Sequence, residues 1–266
     1  MKIAFIGGGN MGEAMLSVIL GKGLAQPTDI TVSDISESRR RDLNQKYGVV
    51  AVAENRIAVA NADIVVLAVK PQNLLDVMNG ISRLFQPEQV VLSIVAGARI
   101  DALCRGLNHR HVVRSMPNTP AQIGEGIAVW MATPEVTEQQ KEWARSILGA
   151  TGEEIFVDDE KYLDMATAVS GSGPAYFFLF VESLVEAAVQ IGLPRDTAEK
   201  LVLQTMLGSG HLIEKSNKSP AELRRMVTSP GGTTAEALQK LEQGEFGHLV
   251  IQAVVAAYNK AQELGK

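Results

Sequence analysis

Short apolar runs alternate with stretches of helical spacing through the first half of the chain. The runs near residues 2 to 6, 29 to 33, 63 to 68 and 89 to 95 carry few polar breaks, as strands buried on both faces do. Between and after them, near 10 to 21, 36 to 47, 53 to 61, 71 to 84 and 99 to 107, apolar positions recur at intervals of three and four, which predicts helices covering the sheet. This alternation is the βαβ order of a parallel sheet. Further strand-like segments stand at 111 to 115, 127 to 131 and 154 to 157, with a helix at 138 to 148.

After about residue 160 the strand signals stop. Helices are predicted over 173 to 191, 194 to 215, 219 to 227, 234 to 243 and 246 to 264, with Pro174 and Pro194 each in a first turn, where a missing N–H costs little. The expected class is therefore α/β: a nucleotide-type domain over 1–160 and an all-α domain over 161–266. The helical half spreads apolar residues over several faces, among them Phe177, Phe178, Phe180, Leu184 and Val189. That surface predicts burial in a dimer, against the plainer alternative of a monomeric core.

Composition narrows the function. A net charge of -5 over 266 residues offers no basic excess to a phosphate backbone, so neither nucleic acid nor a membrane surface is expected as a partner. The most apolar segment, 175 to 193, carries Glu182 and Glu186, each costing a bilayer ~2.5 kcal/mol or more, and is expected to be a buried soluble helix. One cysteine, Cys104, permits no disulfide within the chain and suits a reducing cytoplasm. The four histidines show no metal-ligand spacing, and the chain runs from Lys2 directly into a strand without a signal peptide pattern.

The first strand is followed by Gly7, Gly8, Gly9, Asn10, Met11 and Gly12, a G-x-G-x-x-G series that opens a helix. In that place Gly7 makes the tight turn, Gly9 lets backbone approach a pyrophosphate, and Gly12 lets helix and strand pack closely. The alternative is a glycine-rich turn without a ligand. Asp34, about 20 residues further on, stands where an acid bonds the adenosine ribose in NAD enzymes. Ser33, Ser36, Ser38, Arg39 and Arg40 nearby offer donors to a 2′-phosphate instead, so cofactor preference stays open between NAD and NADP. Lys70 ends a strand at its carboxyl end, where open α/β sheets bind ligands, and Asn118 lies in a stiff corner between Pro117 and Pro120.

In the helical half, Ser170 to Tyr176 brings small residues to a predicted helix start. Thr228 to Thr234 leads into another, with Thr233 and Glu236 in the capping-box pattern. Glycines, hydroxyls and free amides at a helix N-terminus suit a carboxylate, although a capped loop without a ligand is an equal reading of the residues alone.

Taken in order, the segments Phe5 to Gly12, Ala68 to Gln72, Ser93 to Gly97, Met116 to Pro120, Ser170 to Tyr176 and Thr228 to Thr234 resemble pyrroline-5-carboxylate reductase. The resemblance implies a Rossmann domain and a helical domain interlocking two subunits, often in a decamer of five dimers. It implies reduction of 1-pyrroline-5-carboxylate to L-proline by hydride from NADPH or NADH. By position it places cofactor on the loop from Gly7 to Gly12, on Ser33, Asp34, Asn55, Val69, Lys70 and Ala96, and substrate on Gly231, Gly232, Thr233 and Thr234, with the Thr234 hydroxyl facing the ring nitrogen. Asp34, and Met226 where some relatives have Asn, depart from the pattern. The rival readings are a hydroxy acid dehydrogenase of the 3-hydroxyisobutyrate type, which needs a lysine that the helix after Gly173 lacks, and a dinucleotide sensor without turnover.

Overall fold

A computed structural model describes residues 1–265. Its strands are β1 (Ile3–Ile6), β2 (Ile30–Ser33), β3 (Val50–Val52), β4 (Ile64–Leu67), β5 (Val90–Ser93), β6 (Val112–Met116), β7 (Gly126–Ala132) and β8 (Gly152–Phe156). They form one sheet in the order β3-β2-β1-β4-β5-β6-β7-β8. All neighbours pair in parallel except β6 with β7. The first six follow the strand order of dinucleotide-binding folds, in which the order reverses beside β1 and leaves a crevice at the carboxyl ends of the strands.

Helices α1 (Asn10–Gly21), α2 (Glu37–Tyr47), α3 (Asn55–Val59), α4 (Leu74–Ile81), α5 (Ile100–Leu107) and α6 (Glu138–Ala150) accompany the sheet. Alternate residues of β1 enter two separate cores. Ile3 and Phe5 pack with Met15, Leu16 and Ile19 of α1 and with Ile147 of α6. Ala4 and Ile6 pack with Ala58 of α3, Met78 of α4 and Leu103 of α5. Burying each such Phe, Ile, Leu or Met contributes about 1.5–3 kcal/mol, so this four-residue strand is held from both sides.

Two elements that accompany the sheet were not legible in the apolar pattern. One is β3, a three-residue edge strand. The other is α7 (Lys161–Ala166), which stands where strand signals end. Asp164 of α7 is buried because Arg114, itself buried on β6, pairs with it at 3.2 Å and with Glu160 at 2.6 Å. Arg99 adds contacts of 3.6 Å to Glu160 and 3.3 Å to Asp164. Glu160 also accepts the Ile100 amide at 2.7 Å and so closes the start of α5.

The chain divides into two compact units, residues 1–172 with 257–265, and Gly173–Ala256. In the first, Gly97 (φ +75°) lies so close to the end of the chain that an added Cβ would stand 2.9 Å from the Leu264 carbonyl.

The second unit holds α8 (Gly173–Gln190), α9 (Arg195–Lys215), α10 (Pro220–Met226), α11 (Thr233–Gln243) and most of α12 (Phe246–Leu264). A helix starts at Gly173 as predicted, and a π turn at Thr167–Gly171 precedes it. There the Ser172 amide reaches back five residues to the Thr167 carbonyl at 2.8 Å. Pro174 follows this wider turn, where its ring meets less of the preceding backbone than in a regular α-helix interior. Pro194 is the N-cap of α9, one position ahead of the predicted first turn.

The helix expected to be buried over 175 to 193 is largely exposed within one chain. Within the described chain α8 buries Gly173 and Val185, while Phe177, Phe178, Leu179 and Phe180 are exposed. Residues Gly173–Ala256 add only Ala198 to that list, too little core for an 84-residue unit to stand by itself. By length and composition alone, the helix Lys161–Gln190 is also apolar enough to cross a membrane.

Candidate active site

The loop after β1 is shaped by its glycines. Gly7 has φ +101°, and a Cβ on it would stand 2.7 Å from the carbonyl of Ala68, the residue that follows β4. A Cβ on Gly12 would stand 2.5 Å from the Gly7 carbonyl, so helix and turn touch through backbone alone. Around Gly9 a Cβ would meet nothing, which leaves the approach open. Gly9 is the N-cap of α1 and no side chain caps it, so the amides of Asn10, Met11 and Gly12 carry the helix's orphan donors. Open backbone, uncapped amides and the positive end of a helix dipole at the strand crevice fit the pyrophosphate of NAD or NADP.

The end of β2 is already engaged. Asp34 Oδ2 accepts the Gly8 amide at 2.9 Å and Oδ1 accepts the Ser36 amide at 2.9 Å. Buried Ser33 donates to Asn55 Oδ1 at 2.7 Å, which brings together two of the expected cofactor residues. Arg39 and Arg40, read from sequence as donors to a 2′-phosphate, are both committed to the protein. Arg39 donates to the Gly8 carbonyl at 2.5 Å and pairs with Glu13, while Arg40 donates to the carbonyls of Asp34 at 2.7 Å and Ile35 at 3.0 Å. Val69 is half-buried, and Lys70 is exposed at the head of a turn over Pro71–Asn73. Ala96 is half-buried beside Gly97. Asn118 is buried, its Oδ1 accepting the Ile127 amide at 2.9 Å and pinning the corner to β7.

Glu13, which the sequence did not single out, is the hub of this region. It takes Arg39 and Lys46 (2.8 Å) as ion pairs and the Tyr47 hydroxyl at 2.8 Å. The Lys46 ammonium, with Arg39 and Tyr47, holds its carboxyl down at about 2 against the opposing effect of burial. The available signal was an acid in the first turn of the helix that follows the glycine series.

In the second unit, Thr228 donates to the Arg224 carbonyl at 2.6 Å, and the Gly232 amide reaches the Ser229 carbonyl at 3.0 Å. Pro230 and Gly231 occupy the middle of that turn, and Gly231 has the φ of +67° that the third position of a type II turn requires. Gly232 is then the N-cap of α11 and no side chain caps it. The predicted Thr233–Glu236 capping box is thus corrected, because Thr233 is already the first helical residue. The amides of Thr233, Thr234 and Ala235 are left as donors, whereas that of Gly232 is spent on the turn. Thr234 is half-buried. The N-termini of α2, α6 and α10 are capped by their own Ser36, Thr137 and Ser219, whereas α3, α4 and α9, like α1 and α11, have no side-chain cap. A cavity of about 450 Å³ beside the turn is lined by Arg224, Arg225, Thr228, Ala235 and Glu242 among others.

The family model for pyrroline-5-carboxylate reductase dimerisation matches residues 160–264, and that for NADP oxidoreductase, coenzyme F420-dependent, matches 2–97. A pyrroline-5-carboxylate reductase of Pseudomonas aeruginosa is 41% identical, covering 100% of this chain and 97% of its own. The solved enzyme from Coxiella burnetii is 39% identical with a TM-score of 0.89, covering 100% of this chain and 98% of its own. That from Plasmodium falciparum, solved with NADP bound, is 32% identical with a TM-score of 0.92 over the same shares. On a likeness that runs the length of the chain, it belongs to the pyrroline-5-carboxylate reductase family.

Proposed function

We propose that this chain reduces 1-pyrroline-5-carboxylate to L-proline, the last step of proline biosynthesis, with NADPH or NADH. The observation that carries the reading, beside family membership, is two helix N-termini without a side-chain cap, each reached through a turn with a glycine at positive φ. One opens α1 after the glycine series and suits a pyrophosphate; the other opens α11 after the Pro230–Gly231 turn and suits a carboxylate. The division of labour follows: the sheet domain (1–160) holds cofactor on Gly7, Gly9, Asn10, Met11, Gly12, Ser33, Asp34, Asn55, Val69, Lys70, Ala96 and Asn118. The helical domain (161–266) holds substrate on Gly231, Gly232, Thr233 and Thr234.

Bound reduced nicotinamide supplies the hydride. A protonated imine already presents an electron-poor carbon, so the protein needs no strong base; orientation, electrostatics and exclusion of water are its tasks. The amides of Thr233, Thr234 and Ala235 hold the substrate carboxylate, and Gly232 shapes the seat through its bond to Ser229. The Thr234 hydroxyl holds a proton at the ring nitrogen. Alcohol oxidation is not favoured, because α8 carries no lysine to serve as base.

The exposed apolar faces of α8, α9 and α12 bury against a second copy, and five such dimers make a decamer. The apolar stretch in Lys161–Gln190 then serves protein rather than lipid, in a cytoplasmic enzyme. Crystals soaked with L-proline test the substrate seat. Carboxylate density on the amides of Thr233 and Thr234 is expected, and proline bound elsewhere with that turn empty would remove the assignment.

A further inference from the structure

Gly8 is gripped on both sides of its residue: its amide by Asp34 at 2.9 Å and its carbonyl by Arg39 at 2.5 Å. Asp34 and Arg39 therefore stand on either side of the same loop residue, where the adenosine ribose is expected. Asp34 is fixed by two amides, and turning it away from the ribose would cost both. Arg39 stands beside that loop, and its charge is taken up by Glu13, which lies one helical turn into α1. Lys46 and the Tyr47 hydroxyl, at 2.8 Å each, hold the Glu13 carboxylate from the far side and keep it ionised and still. Arg40 is turned onto the carbonyls of Asp34 and Ile35.

We infer that Glu13 is a specificity-determining residue: by holding Arg39 off the ribose it leaves Asp34 to repel a 2′-phosphate, so the unphosphorylated dinucleotide is preferred. This rests on the cofactor site proposed above. Glu13 acts through Arg39 and touches neither cofactor nor substrate, so it is a positioning residue. Removing its charge frees the Arg39 fork for a phosphate, a group that a guanidinium binds in bidentate fashion.

Calorimetric titration of the intact enzyme with ADP-ribose and with 2′-phospho-ADP-ribose tests this without turnover. The wild type is expected to bind ADP-ribose about tenfold more tightly or better, the scale of one unfavourable charge contact. Glu13→Gln should narrow the ratio by tightening the phosphorylated ligand, and Glu13→Gln with Arg39→Met should restore it. Equal binding of both ligands by the wild type, or a parallel loss of both in Glu13→Gln, would overturn the inference, the second by revealing a merely structural role. Absence of binding by either ligand would overturn the cofactor site along with it, which separates the two failures.

Discussion

Ser33 and Asn55 are 22 residues apart in sequence, yet the serine hydroxyl donates to the asparagine Oδ1 at 2.7 Å, tying the end of β2 to the first residue of α3. Two residues expected beside the cofactor thus order each other. Ser33→Ala leaves the Asn55 carbonyl oxygen without this donor, at a cost of about 1–2 kcal/mol. Thermal melts should show a drop of a few degrees, and titration a loosened dinucleotide; an unchanged melting point would mean that water replaces the bond.

Thr234→Ala should lower kcat by about a hundredfold, the scale of one placed proton donor, while dinucleotide affinity stays within a factor of about two. Steady-state kinetics with binding measured separately will distinguish the two. An unaltered kcat takes Thr234 out of the reaction.

Gly12→Ala places a methyl group 2.5 Å from the Gly7 carbonyl, and neither backbone segment can move aside without opening the turn. The fold should lose about 1–3 kcal/mol and dinucleotide binding should fall much further. Denaturant titration alongside calorimetry checks both, and wild-type affinity would contradict the role given to this contact.

Glu13 sets an acid limit. Its folded pKa of about 2 lies below the 4.5 of an ordinary glutamate, mainly through Lys46, so its ionised form favours the fold. That contribution is complete above about pH 4.5 and is lost as pH falls from there toward 2. Urea midpoints across this window should fall less steeply in Glu13→Gln than in the wild type; parallel curves would show that the pair contributes nothing.

The enzyme in solution should have at least twice the 28.6 kDa mass of one chain. Phe178→Glu, on the exposed face of α8, should shift it toward smaller or aggregated species. Light scattering after size exclusion gives the answer, and a soluble wild-type monomer would refute dimer burial.

The sheet, the glycine series and the helical half were legible because their apolar periods are long and their punctuation is local. The edge strand β3 was not, since three half-exposed residues carry too little pattern. Asp164 and Glu160 disguised α7: a buried acid resembles a surface one until the arginines that neutralise it, from β6 and the start of α5, are known. Thr233 and Glu236 satisfied the capping pattern, but the Pro230–Gly231 turn makes Gly232 the N-cap. α8 reads as a buried helix from its apolar residues, yet within the described chain Phe177, Phe178 and Phe180 are exposed. The commitments of Arg39 and Arg40 depend on Glu13 and on backbone carbonyls, which no spacing rule reports.

The most direct measurement mixes the purified enzyme with 1-pyrroline-5-carboxylate and either reduced dinucleotide, following nicotinamide absorbance and recovering the product. The account predicts that one L-proline forms for each dinucleotide oxidised. Dinucleotide that binds but is not consumed, or consumption only with a hydroxy acid couple, would contradict it.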